Sequence, residues 1–508
     1  MQWTEFSVDS PEDVVWDAVV VGTGAGGGPA GLTLARQGLN VLFLERGKPP
    51  TERSGSGRID SGWWPDTLRR VGDLSGDIFA KELLGNYLPI GCGVGGSTSL
   101  HNLTMDRFRS IDFRPRSTAP PSVAALVPSA WPLEYEELEP YYREAEALFR
   151  LHGTDDPLAP VHGPLLDPLA PSDAERAVHR VLTESGLHPY RIHTASDRVE
   201  NCGFCLLRQC SSECRNDTGR MCVEPTLRNH GAKILTECYA IRLETKGRDV
   251  TQVVCHWKGK EVAIRARLFA LALHSLLTPA LLLRSANTDF PHGLGNTSGL
   301  VGRNLMLHAS DLIAVEFEQT PTSGRPLLNH GISLNDFYVV DGIKLGNVHV
   351  DASPEAIVRS GPRLATVTFA TVVEDYPYAE NRIIASYTDP YDVSWEYKYP
   401  PELRSRCDRL IGAFSAALAS KCTVRHLNPP PLGNLNVAHA CGTCRFGNDP
   451  RTSVLDRNNR VHDLGNLLVL DASFFPSSGG MNPSLTIAAN SIRATTHIAS
   501  ATGASGLA

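Results

Sequence analysis

The chain lacks the run of about 20 consecutive apolar residues that a membrane helix needs. Its longest apolar stretch, Leu268 to Leu283, is interrupted by His274, Ser275, Thr278 and Pro279, and reads as a buried strand running into a helix. A basic-then-apolar leader is also missing. Glu5, Asp9, Glu12 and Asp13 come before the first apolar run, the reverse of a secretory signal, so the expected location is the cytoplasm. Charge of one sign is nowhere concentrated: Lys+Arg 48 against Asp+Glu 55 gives a formal −7 without blocks. The basic face that a nucleic-acid partner requires is therefore absent. Neither the 44 glycines nor the 35 prolines recur at a fixed period, which excludes collagen-like and solenoid architectures. Twelve cysteines in 508 residues are too sparse for a disulfide scaffold. What remains is a chain that is 42% hydrophobic, long enough for two or three domains around a sizeable core.

From Asp17 to Gly47 the sequence runs DAVVVG, GTGAGG, GPAGLTLARQG with helical apolar spacing, and NVLFLERG. This is strand, glycine turn, helix, strand. Gly22 permits a tight turn, Gly24 lets the backbone approach a pyrophosphate, and Gly27 lets the helix pack on the strand, while the helix N-terminus offers unpaired N–H groups to phosphates. Glu45 closes the second strand, where an acid accepts hydrogen bonds from an adenosine ribose. The motif predicts a dinucleotide site and does not choose between NAD and FAD. A second glycine turn, IGCGVGGSTSLHN from Ile90 to Asn102, carries Gly95 and Gly96 followed by Ser97, Thr98 and Asn102. It reads either as a surface loop or as a wrap around a flat ring with short polar groups for hydrogen bonds.

At the other end, AHACGTCRFG, RVHDLGNLLVLDASFFP and GGMNPSLTIAANSIRATTHIA follow one another from Ala438 to Ala499. Together with the two glycine turns they resemble the glucose-methanol-choline (GMC) oxidoreductases, with their dinucleotide fingerprint, GGS(S/T)xxN loop, HxxGT, DAS(x)FP turn and NPxxT. The stretches Trp131 to Phe149, Gly299 to His308 and Glu374 to Arg382 are similar to parts of the sugar-oxidising members. One departure is plain: His274 and Ala286 stand where the family usually has glycines. The resemblance implies an α/β fold with a Rossmann-like FAD-binding domain of the p-hydroxybenzoate-hydroxylase type. That domain would be assembled from residues 1–113, 225–313 and 432–508. A second, α+β substrate domain on an antiparallel sheet would take 114–224 and 314–431, with a cysteine-rich insertion at 202–222. It further implies that His439 accepts the substrate's proton and that Asn482 orients its hydroxyl. Asp471 would reach the ribityl or pyrophosphate region of FAD with Ala472 beside it, unless it caps the next turn. His101 lies close to where a few members attach FAD covalently.

The cysteine group Cys202, Cys205, Cys210, Cys214 and Cys222 has mixed short gaps. Cys202, Cys205, Cys210 and Cys214 could ligate an iron–sulfur cluster; zinc, or cysteines that merely pack a loop-rich insertion, are the alternatives. Cys441 and Cys444 read as packing. Glu374 and Asp375 read as an exposed acidic turn before Pro377, or as partners for an amino sugar's ammonium groups. Three activities fit the resemblance. The favoured one oxidises an alcohol to a carbonyl on a small sugar-like or polyol substrate, hydride going to FAD and electrons onward to oxygen or a separate acceptor. Within the family the chain is similar to the aminoglycoside-biosynthesis flavoenzymes, which makes the 6'-hydroxyl of a paromamine-like intermediate the expected target. The second is a dehydrogenase relaying electrons through a cluster to a partner protein, and the third a non-redox lyase that keeps FAD as scaffold.

Overall fold

The computed structural model describes residues 3–48, 90–101, 103–159, 163–197, 214–318, 331–351, 364–385, 389–390, 393–427 and 434–506. β1 (Val15–Val21) is apolar at nearly every position, the composition of a strand covered on both faces. It pairs in parallel with β2 (Val41–Leu44) on one edge and with the strand Lys260–Leu271 on the other. Helix α1 (Gly27–Arg36) makes the crossover between β1 and β2. The sheet runs Lys233–Leu235, β2, β1, Lys260–Leu271, Asp249–Trp257, Tyr239–Lys246. Lys260–Leu271 is long enough to share one edge between two neighbours. Asp249–Trp257 lies antiparallel to its first half, and Leu467–Val469 lies parallel to its last three residues. The apolar run that begins at Leu268 is the end of this strand followed by the helix Leu277–Arg284. Among the described residues, no helix is long and apolar enough to cross a membrane.

A second sheet is antiparallel throughout, ordered Thr423–His426, Leu312–Glu318, Leu364–Val373, Gly346–Val350, Ile332–Leu334, Tyr190–Arg191. The helix Pro401–Leu418 covers it. Its Leu403, Cys407, Leu410, Phe414 and Leu418 recur along one face and share a core with Phe317, Val367 and Phe369. The fold is thus α/β with a second, antiparallel-sheet part. Met306–Ala309 and Leu435–Cys441, which the sequence groups with the cofactor-binding segments, hydrogen-bond to each other, and Ala309 pairs with Val373 of the second sheet.

The two parts are held together by a buried ion cluster. Lys344 is 0% exposed; its Nζ lies 2.8 Å from Asp112 Oδ1 and 2.9 Å from Glu374 Oε2. Asp112 belongs to the short helix Ser110–Phe113 and also accepts the Tyr338 hydroxyl at 2.7 Å. Glu374 and Asp375 are therefore not the exposed acidic turn the sequence suggests, nor do they line the cavity described below. They follow directly on a central strand, so the chain is still inside the protein when it reaches them. Asp375 accepts from the Leu307 and Tyr376 amides, at 2.9 and 2.8 Å, and from the Tyr397 hydroxyl at 2.8 Å. Lys344→Met would leave Asp112 and Glu374 buried without their counter-charge. Urea denaturation should show about 3–5 kcal/mol of lost stability.

Candidate active site

A cavity of about 420 Å³ opens between the β1–α1 turn and one face of the second sheet. Gly22, Gly24, Glu45, Gly96, Ser97, Asp471, Ala472, His439 and Asn482 all line it. Residues more than 400 positions apart in sequence thus meet around one space. Gly27 and Gly95 stand behind the lining. A Cβ on Gly22 (φ +97°) would lie 2.3 Å from the Ala272 carbonyl oxygen, and one on Gly27 would lie 1.9 Å from the Gly22 oxygen. Only glycine permits these approaches. Asn102 lies outside the described residues.

Three threonines, of which the sequence singles out only Thr98, hold the loops together. Thr23 Oγ1 donates to Glu45 Oε2 at 2.6 Å and accepts from the Gly95 amide at 3.1 Å. Thr98 Oγ1 lies 2.8 Å from Thr218 Oγ1, and the Thr218 hydroxyl is also 2.9 Å from the Thr23 carbonyl oxygen. Glu45 further accepts from the Gly47 and Gly93 amides at 2.9 and 3.1 Å. Asp471 spends its carboxylate on the protein: one oxygen takes the Ser473 amide and hydroxyl, the other the His274 amide and the Thr278 hydroxyl. It caps the turn Ala472–Phe474, and burial pushes its pKa up. His274, the residue in a glycine's place, sits at φ +101° with its side chain on the cavity wall, a backbone region costly for any side chain.

The fit to FAD can be tested on these residues. No atom lies within 4 Å of where a Cβ on Gly24 would stand, so the backbone there is open to the cavity. Arg46 Nη2 and Arg284 Nε and Nη1 are buried without a hydrogen-bond partner among the described residues, and both arginines line the same space. Orphaned donors beside an open glycine turn and a helix N-terminus suit an acceptor-rich phosphorylated ligand.

At the other end, His439 projects from the strand Leu435–Cys441, whose pairing shifts register between Asn436 and Cys441. Such an irregularity re-aims side chains. His439 Nε2 is 3.4 Å from Asn482 Nδ2, and His439 Nδ1 is 2.9 Å from His308 Nδ1. The hydrogens follow from the partners. His308 Nε2 lies 3.1 Å from the carbonyl oxygens of both Ser478 and Gly479, so it donates. A neutral imidazole carries one hydrogen, hence His308 Nδ1 accepts and His439 Nδ1 donates to it. The lone pair of His439 is left on Nε2, next to Asn482. Burial keeps both rings neutral: His308 is pushed down to about 4 and His439 well below its ordinary value, with His308, His101 and His349 adding to the depression of His439. His308 has no motif of its own; its signal was only its place at the end of a stretch resembling family sequence.

His101 also lines the cavity, pushed down to about 4 by burial and by Arg215. Of the proposed cluster ligands, Cys202, Cys205 and Cys210 lie outside the described residues, while Cys214 is buried. Among the described residues no group of three or more His, Cys, Asp or Glu side chains is arranged to hold a metal. Cys441 and Cys444 are buried in the larger core.

Two outcomes follow. Gly24→Val places a branched side chain in the open space beside the turn and should give folded protein without FAD, read from the flavin absorbance after gel filtration. The second concerns pH. Burial lowers His101, His308 and His349 from 6.5 to about 4. The unfolded chain then binds the extra protons between these values, so stability is complete above the unfolded pKa and is lost as pH falls. The urea midpoint should be lower at about pH 5 than at about pH 7.5, and nearly level above that.

Family models of GMC oxidoreductases match residues 132–310 and 431–491. The paromamine 6'-oxidase of Streptomyces fradiae is 28% identical, over 96% of this chain and 92% of its own length. The 6'''-hydroxyparomomycin C oxidase of Streptomyces lividus is 27% identical over the same shares. The crystal structure of pyridoxine 4-oxidase from Mesorbium loti superposes with a TM-score of 0.65 at 19% identity, covering 95% of this chain and 99% of that one, a likeness of fold. The two family models fall in order along a chain that aligns with its relatives almost end to end, and the chain belongs to the GMC oxidoreductases, flavin-dependent enzymes that act on CH–OH groups.

Proposed function

We propose that the protein oxidises a primary hydroxyl of a sugar-like substrate to the aldehyde, and that its target is the 6'-hydroxyl of a paromamine-like aminoglycoside intermediate. The observation that carries the reaction is the tautomer of His439, which turns an unprotonated Nε2 into the cavity beside the Asn482 amide. An alcohol is complementary to this pair: its O–H donates to Nε2 while its oxygen accepts from Asn482 Nδ2. FAD, when bound, supplies the acceptor for the hydride that leaves the carbinol carbon. As that hydride departs the hydroxyl becomes strongly acidic, and Nε2 takes its proton. One hydride to flavin and one proton to His439 leave a neutral carbonyl product. The buried imidazolium is disfavoured, so the proton is passed on and the base is restored. The glycine turn Gly22–Gly27, Glu45 and the Gly96–Thr98 loop would hold the cofactor. The choice of substrate draws its support from two relatives named for oxidising aminoglycoside hydroxyls.

Anaerobic mixing of the FAD-loaded protein with aminoglycoside intermediates, glucose, gluconate and simple alcohols tests the reading. Rapid flavin bleaching is expected with the aminoglycosides; bleaching confined to simple alcohols would refute the substrate, and no bleaching by any alcohol would refute the reaction. Rapid recolouring on admitting air identifies oxygen as acceptor. His439→Ala should slow flavin reduction by about 10² to 10⁴, or about 2.7 to 5.4 kcal/mol of barrier, with FAD content unchanged. Asn482→Ala should cost about 1 kcal/mol, because no buried charge is left behind. Single-turnover rates measure both.

A further inference from the structure

Among the described residues three carboxylates line the cavity, and two of them are saturated by the protein. Glu45 takes one hydroxyl and two amides, and Asp471 takes two amides and two hydroxyls. The third, Asp351, is different. Its backbone amide donates to the Thr368 carbonyl oxygen at 2.9 Å, but its side chain has no hydrogen-bond or ion-pair partner among the described residues, and burial alone pushes its pKa up.

The fold fixes where this carboxylate stands. Leu312, Ala370 and His349 are neighbours across three strands of the second sheet, Leu312 facing Ala370 and Ala370 facing His349. All three line the cavity. Asp351 is two residues on from His349 and so shares its face. It therefore belongs to the sheet floor of the cavity, opposite the glycine turns. Among the described residues no cation answers it. Arg46 and Arg284, the arginines of the lining, come from β2's end and from the helix Leu277–Arg284 of the first sheet's side, and neither pairs with Asp351. His349 is kept neutral by burial, at about 4.

A half-buried carboxylate on a cavity wall, without a counter-charge among the described residues, is complementary to a cation brought by the ligand. We infer that Asp351 seats an ammonium group of the substrate and so makes the cavity select amino sugars over neutral sugars. This rests on the proposed oxidation of a sugar-like alcohol at His439 and names the group by which that alcohol is recognised. Asp351 is a binding residue here and takes no part in the transfer of hydride or proton.

Glucosamine and glucose, which differ by an ammonium in place of one hydroxyl, separate the possibilities. Their binding to the FAD-loaded enzyme can be read by calorimetry and by perturbation of the flavin spectrum. The parent protein should prefer glucosamine. Asp351→Asn, isosteric and uncharged, should weaken glucosamine by about 30-fold or more, as expected for loss of one partner of a desolvated charge pair, and so erase the preference. Asp351→Glu should retain part of it. FAD content and melting temperature report folding. Equal weakening of both sugars, or a preference that survives Asp351→Asn, would overturn the inference. Binding and chemistry fail separately: a preference lost in Asp351→Asn while no sugar bleaches the parent flavin supports the ammonium seat and counts against the proposed reaction. Bleaching of the parent flavin without any preference supports the reaction and removes the seat.

Discussion

One buried ammonium, that of Lys344, is the constraint on which the catalytic end depends. It is shared by Asp112 and Glu374, so three chain segments must converge before both carboxylates have their counter-charge beside them. The consequences run outward through hydrogen bonds. Glu374 accepts the Gly479 amide at 3.2 Å, and Asp112 holds the Tyr338 hydroxyl that accepts from the Gly480 amide at 3.0 Å. The Ser478–Gly480 loop is thereby pinned. Its carbonyls in turn fix the hydrogen on His308, and His308 fixes the hydrogen on His439. A buried ion cluster is weak evidence for stability; its value here is that it leaves the loop one position and the imidazole one tautomer.

The cavity walls divide the work between two kinds of structure. The dinucleotide end is built from backbone, with glycines allowing close approach and threonines tying the turns. The other end is built from side chains on a sheet face and a register irregularity. Backbone recognition suits a cofactor with phosphates and a ring; side-chain recognition suits a variable substrate.

This division explains what was legible in the sequence. The β1–α1–β2 unit is written locally, in the spacing of Gly22, Gly24 and Gly27 and in two apolar strands, and it is found where the spacing puts it. His439 and Asn482 could be picked out only through resemblance, and they do meet at one cavity. His308 and Thr218 carry no local pattern, because their roles come from partners more than 100 residues away. Glu374 and Asp375 are hidden for the same reason: two acids before a proline look like a surface turn until Lys344 from another strand is found beside Glu374 and the Leu307 amide and Tyr397 hydroxyl on Asp375. Asp471, read as a cofactor contact or a cap, is fully engaged as a cap.

The shared edge of the strand Lys260–Leu271 has a consequence for biogenesis. Its last three residues pair with β1 on one side and gain a neighbour on the other only when Leu467–Val469 arrives, and Ser491 of the long C-terminal helix donates to the Gly26 carbonyl oxygen across 465 positions of sequence. The glycine turn and the strand beside it are thus completed by segments more than 400 residues apart from that turn in sequence. A growing chain lacks this packing until residues 467–491 have been made.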